Sequence, residues 1–238
     1  MKTEVHTYEG GGVQSRGYLA LPEGTGSRPG ILVVHEAPGL DDHMRRRADM
    51  LAGLGYVALA ADLYGGGKVA QVPQEAMALA RPLSDDPEVL RRRVRAGLHA
   101  LASIPTVDPA RLAAIGYCFG GTSVLELARS GASVACIVSF HGGLDTRRPA
   151  VAGAIKAKIL ACAGSADPIV PADQVSRFQK EMTEAGADWQ VIIYGGAKHA
   201  FTNPASDGIP LPGFGYSPFA DRRSWAAMQS FFSEVFAA

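Results

Sequence analysis

The chain has 238 residues, 47% of them apolar and 19% charged, proportions ordinary for a soluble globular protein and enough for one large α/β domain spanning residues 1–238. Its 23 basic residues are balanced by 23 acidic ones, which leaves no net field to attract nucleic acid or anionic lipid, and no stretch approaches the length of a membrane span. Nucleic-acid and membrane partners are therefore not expected.

The N-terminal Met1-Lys-Thr-Glu-Val-His lacks the apolar region of a secretion signal, so a cytoplasmic, reducing location is expected. The three cysteines, an odd number, fit free thiols: Cys136 and Cys162 lie in apolar strand-like runs and read as core, whereas Cys118 lies in a turn. Val5 to Leu21, two short alternating segments around Gly10-Gly-Gly12, read as an antiparallel hairpin at one edge of a sheet. Ile31 to Val34 is a buried strand ending at His35-Glu36-Ala37-Pro38-Gly39. A helix capped by Asp41 or Asp42 follows, with Met44, Ala48 and Leu51 on one face and Gly55 as its stop.

Tyr56 to Leu63 reads as the next strand. A helix led by Pro73 comes after it, then one with Asp86 as N-cap and Pro87 at its first position. The runs Arg45-Arg-Arg47 and Arg91-Arg-Arg93 fall in helices and read as solvated faces. Beyond them come strands at Leu112 to Ile115, Val134 to Phe140, Ile159 to Ala163 and Trp189 to Tyr194, with helices after Gly121, from Pro171 to Ala185 and from Asp221 to Phe236. Buried strands alternating with amphipathic helices argue for an α/β fold, a mostly parallel sheet covered on both faces, with its ligand at the carboxyl ends of the strands. Thr202 to Pro218 is a long irregular segment rich in Gly and Pro, a kind of loop that is commonly functional.

Three strand ends carry reactive residues. Gly116-Tyr-Cys118-Phe-Gly-Gly121 is the G-x-S-x-G turn with cysteine for serine, in which a strained nucleophile faces the first N–H groups of the next helix. Gly164-Ser-Ala-Asp167-Pro and Gly195-Gly-Ala-Lys-His199 end the two later strands. Taken singly, these are a core cysteine, a turn aspartate and a surface histidine. Taken together, the order nucleophile, acid, histidine is that of an α/β-hydrolase, here without a large cap domain. In that scheme His199 is the general base, Asp167 orients it, Cys118 forms a thioester, and the amides of Phe119 and Ala37 hold the oxyanion. The chemistry needs no metal or organic cofactor. His141 also ends a strand and is a pocket candidate, while His6, His43 and His99 read as surface or helix-face residues.

The Cys118 turn, the His35-Glu36 strand end, Gly55 to Gly65, Asp167-Pro-Ile-Val-Pro171 and His199-Ala-Phe201 together resemble the dienelactone hydrolase (carboxymethylenebutenolidase) family over nearly the whole chain. The resemblance implies a Cys-His-Asp triad and a Glu36 that accepts a hydrogen bond from the resting thiol. It also implies an arginine four residues past the catalytic histidine, to bind the lactone's carboxylate, where this chain has Asn203. A second family arginine corresponds to Arg81. Tyr64, Tyr117, Phe119, Phe140 and Phe201, at or near strand ends, suit an apolar or aromatic pocket and equally suit core. The partner expected is a small ester or lactone, the assembly a monomer or small homo-oligomer. A catalytically silent scaffold binding a small ligand is the alternative.

Overall fold

The computed structural model describes residues 1–237. One eight-stranded sheet runs β1 (Lys2–Glu9), β2 (Gln14–Leu21), β3 (Arg28–Val34), β4 (Val57–Ala61), β5 (Val107–Tyr117), β6 (Cys136–Phe140), β7 (Lys158–Gly164) and β8 (Trp189–Tyr194). Their spatial order is β1-β2-β4-β3-β5-β6-β7-β8, with β1 and β2 antiparallel to their neighbours and every pair from β4 to β8 parallel. The expected edge hairpin is present, closed by a Gly10 N–H donating to the Val13 carbonyl.

Among the described residues six α-helices cover the sheet: α1 (Asp42–Gly53), α2 (Pro73–Ser84), α3 (Pro87–Ala102), α4 (Phe119–Arg129), α5 (Ala172–Glu184) and α6 (Pro218–Ala237). Side chains alternate along each strand, so the buried runs feed two cores. Ile31 and Val33 face Met44, Leu51, Met228 and Phe232 of α1 and α6. Leu32 and Val34 face Leu98, Val124 and Phe178 of α3, α4 and α5. Asp41 caps α1 through the Met44 N–H, and Asp86 caps α3 through Glu88 and Val89, with Pro87 at N1.

The arginine runs are not uniformly solvated. Arg47 and Arg91 are buried, and so is His43, one of the histidines read as surface or helix-face residues, which lies on α1. Each buried guanidinium is paired, as desolvation of a charge requires. Arg47 donates to Asp221 at 2.6 Å and to the Thr202 carbonyl at 2.7 Å, while Arg91 bonds Glu126 at 2.8 Å. Periodicity missed both because a helix packed against other helices buries more than its sheet-facing stripe.

At the junction of β5 and α4 the backbone passes too close for side chains. A Cβ on Gly116 would run into the Gly120 carbonyl, and one on Gly120 into that of Val34. Gly116→Ala is expected to lower stability by about 3 kcal/mol or more, because backbone and not a flexible side chain blocks the added methyl. A urea midpoint equal to wild type would contradict this crossing.

Candidate active site

Cys118 sits at the turn from β5 into α4 with φ 51° and ψ −115°, a left-handed-side conformation that a non-glycine residue adopts only when its surroundings enforce it. The enforcement comes from the glycine crossing and from two bonds to its own N–H, donated to the Phe140 carbonyl at 3.0 Å and to His141 Nδ1 at 3.1 Å. No side chain among the described residues caps α4, so its first amides, beginning with Phe119, face the space beside the sulfur.

His199 Nε2 lies 3.0 Å from Cys118 Sγ, and its Nδ1 lies 2.8 Å from Asp167 Oδ2. Residues 118, 167 and 199 follow β5, β7 and β8, so the parallel sheet places all three at one end. The two later turns are tied together by the Ala166 N–H donating to the Ala197 carbonyl. The His199 backbone is held on both sides, its N–H by the Gly213 carbonyl and its own carbonyl by the Gly215 N–H, while the Phe214 ring stands edge-on to the imidazole at 4.8 Å. Burial disfavours the imidazolium, but the facing Cys118 sulfur and the Asp167 hydrogen bond outweigh it and push His199 up to about 10.

Glu36 follows β3 and is buried; its Oε2 accepts from Asn203 Nδ2 at 2.6 Å. Burial pushes its carboxyl up to about 7 against the lowering effect of that bond. The next peptide is fixed by His35, whose Nδ1 donates to the Glu36 carbonyl at 2.7 Å while its Nε2 accepts the Leu63 N–H at 3.2 Å. The Ala37 N–H belongs to that peptide. Tyr64 Oη donates to the Ala37 carbonyl at 2.7 Å and holds the peptide after it.

Cys118, His199, Glu36 and Ala37 form the floor of a cavity of about 350 Å³, at the small end of the ~300–1,000 Å³ usual for small-molecule sites. One wall is the segment from Ala70 to Met77, the other the loop from Asn203 to Phe214. A larger groove of about 880 Å³ between α3, α4 and the β1–β2 turn is rich in arginine, but Arg91 and Arg129 there are engaged by Glu126 and Glu181. Among the described residues no three His, Cys, Asp or Glu side chains are grouped to hold a metal ion, and no helix is long and apolar enough to cross a membrane.

The dienelactone hydrolase family model matches residues 15–236. The chain belongs to this family. Among solved structures, m3DLH is 44% identical with 98% of each chain covered and a TM-score of 0.93. A dienelactone hydrolase-like promiscuous phosphotriesterase from metagenomic libraries is 39% identical, again with 98% of both chains covered and a TM-score of 0.93. The "Probable 2-oxo-3-(5-oxofuran-2-ylidene)propanoate lactonase" of Bradyrhizobium sp. is 30% identical over 87% of this chain and 84% of its own. The protein is therefore a hydrolase of the α/β-hydrolase fold, and no cap domain interrupts its sheet.

As a dienelactone hydrolase family member the chain departs from what the resemblance implied. The partner of the Cys118 sulfur here is His199, and that of Glu36 is Asn203. Arg81, the expected carboxylate anchor, stands 77% exposed on α2, paired with Asp85 and outside the cavity lining. Tyr64, Tyr117, His141 and Phe201 are buried behind the cavity instead of lining it. Tyr117 stacks on Phe140, and Phe201 packs edge-on against His141. His141 itself supports the nucleophile's amide and bonds Thr202 Oγ1 at 2.7 Å. The role of His35 went unread in the sequence, where a histidine ending a strand carries no sign of what its ring will reach.

Glu36 generates a pH-dependent term in stability. The folded protein keeps a proton to about pH 7 that an ordinary carboxyl, near 4.5, has released, so stability falls as pH rises through that window. Between pH 5 and pH 8 wild type is expected to lose about 2–3 kcal/mol more than Glu36→Gln. Urea unfolding of both proteins at the two pH values measures it, since the His199 contribution is common to both. Equal losses would show that Glu36 does not titrate in this range.

Proposed function

We propose that the protein hydrolyses small carboxylic esters or lactones by covalent catalysis, with Cys118 as nucleophile, His199 as general acid and base, Asp167 as its orienting partner and Glu36 as a buried acid beside them. One observation supports this reading above others: the hydrogen-bonded line from Sγ through the imidazole to Asp167, at 3.0 and 2.8 Å. A core cysteine needs no such partner.

In the first half-reaction the thiol proton moves to His199 Nε2 and sulfur attacks the acyl carbon. The carbonyl oxygen becomes an oxyanion facing the Phe119 and Ala37 amides. As it collapses, the bond to the leaving oxygen breaks and His199 protonates that oxygen. In a lactone the leaving alcohol stays attached to the acyl group, now a thioester on Cys118. In the second half His199 takes a proton from water, hydroxide adds to the thioester, the C–S bond breaks, and the sulfur recovers the proton. Asp167 stabilises the imidazolium in both halves. Its other oxygen, accepting the Ile169 N–H at 2.8 Å, keeps the carboxylate from rotating.

The phosphotriesterase among the relatives motivates one further substrate class, since a neutral phosphotriester also offers an electrophile with a leaving alkoxide beside the same amides.

The test is turnover of aryl esters and lactones. Cys118→Ala is expected to lower kcat on the order of 10⁴-fold or more. Acid quench of wild type during turnover should leave the acyl mass on the peptide that carries Cys118. Turnover surviving in the alanine variant, or an acyl group on another residue, would remove the mechanism.

A further inference from the structure

We propose that this site takes uncharged esters with an extended apolar group, and discriminates against substrates that carry a carboxylate on that group. The inference rests on the hydrolase reading of Cys118 and narrows its substrate class.

Charge is the first ground. Apart from Cys118 and His199, the ionisable residues lining the cavity are Glu36 and Asp41, and no lysine or arginine lines it. The two arginines that could serve as anchors are accounted for elsewhere. Arg81 is on the outside of α2 with Asp85. Arg47 is committed to Asp221 and the Thr202 carbonyl, and it lines, with Arg46 and Tyr216, a cleft that adjoins the cavity across Asp41, Asn203 and Ala205. At position 203 an uncharged amide is turned onto Glu36. A carboxylate entering here would lose water without gaining an arginine or lysine, would find the His199 ring already engaged by Cys118 and Asp167, and would approach two acidic side chains.

The rim is the second ground. Of the ten exposed large apolar side chains among the described residues, four line this one cavity: Val72, Met77, Ile169 and Leu211. Met77 is 62% exposed on α2, whose buried residues are Ala76, Ala80 and Leu83. Apolar side chains gathered at the mouth of a reactive cleft mark a contact surface. Ile209 and Phe214 carry the apolar wall inward to His199, so a hydrocarbon chain on the scissile carbonyl would be covered from the reacting atom to the rim.

The experiment compares three esters with one leaving group, 4-nitrophenyl acetate, 4-nitrophenyl hexanoate and mono-4-nitrophenyl adipate, at pH 8 with buffer blanks subtracted. The expected order of kcat/KM is hexanoate above acetate, and hexanoate above the adipate monoester, each by about tenfold or more. Met77→Lys, at an exposed position, should raise the adipate rate and lower the hexanoate rate, while Met77→Glu should widen the gap; circular dichroism checks that both fold. Equal kcat/KM for hexanoate and the adipate monoester, with both activities lost in Cys118→Ala, would overturn this inference and leave the hydrolase reading intact. Adipate discrimination that neither Met77 variant moves would overturn the assignment of the rim. If no ester is turned over, or if activity persists in Cys118→Ala, the hydrolase reading falls and the substrate class falls with it.

Discussion

The site depends on a backbone crossing. β5 and α4 meet where Gly116, Gly120 and the end of β3 lie so close that no Cβ fits, and the chain can make the turn only by putting Cys118 at φ 51°. Strain of this kind is of order 1–3 kcal/mol and persists only where neighbours over-determine it. Here they do so twice, through the glycine contacts and through the two acceptors on the Cys118 N–H. The result is a sulfur raised above the sheet beside unpaired helical amides, with no freedom to retreat into the core.

Around that turn a second layer of neutral histidines carries out positioning, and only one histidine faces the reactive sulfur. Burial lowers the affinity of His35 and His141 for a proton, and each ring then has one donor and one acceptor nitrogen. His35 uses them on the Glu36 carbonyl and the Leu63 amide, and His141 on Thr202 and the Cys118 amide. Arg47 extends the layer by joining Thr202 to Asp221 at the start of α6. The helix that closes the fold is thereby connected to the turn that bears His199, so packing far from the sulfur is coupled to the geometry beside it.

The cavity is built on different terms. Its walls are a helix start and a loop, positioned by a few backbone bonds such as those between His199 and the segment Gly213 to Gly215. They contribute apolar surface and no cation. The reactive floor is thus held by the sheet and the specificity surface by its connections, the usual division of labour where rigid strands place chemistry and loops vary the pocket.

Much of this was legible in residue order. Alternating buried strands and amphipathic helices, the Gly116 to Gly121 turn, and strand ends at Asp167 and His199 define the fold and the triad candidates, because periodicity, steric demand for glycine and chain order are local properties. Distance across the sheet is not local. That Arg47, Arg91 and His43 are buried, that Tyr117 and Phe201 stand behind the cavity, that His35 and His141 reach backbone amides, and that Asn203 turns to Glu36 follow only once helices pack on helices and strand ends converge. A side chain's hydrogen-bond partners and its share of solvent are set by segments up to 174 positions away, as with Arg47 and Asp221, and only the folded chain brings those segments together.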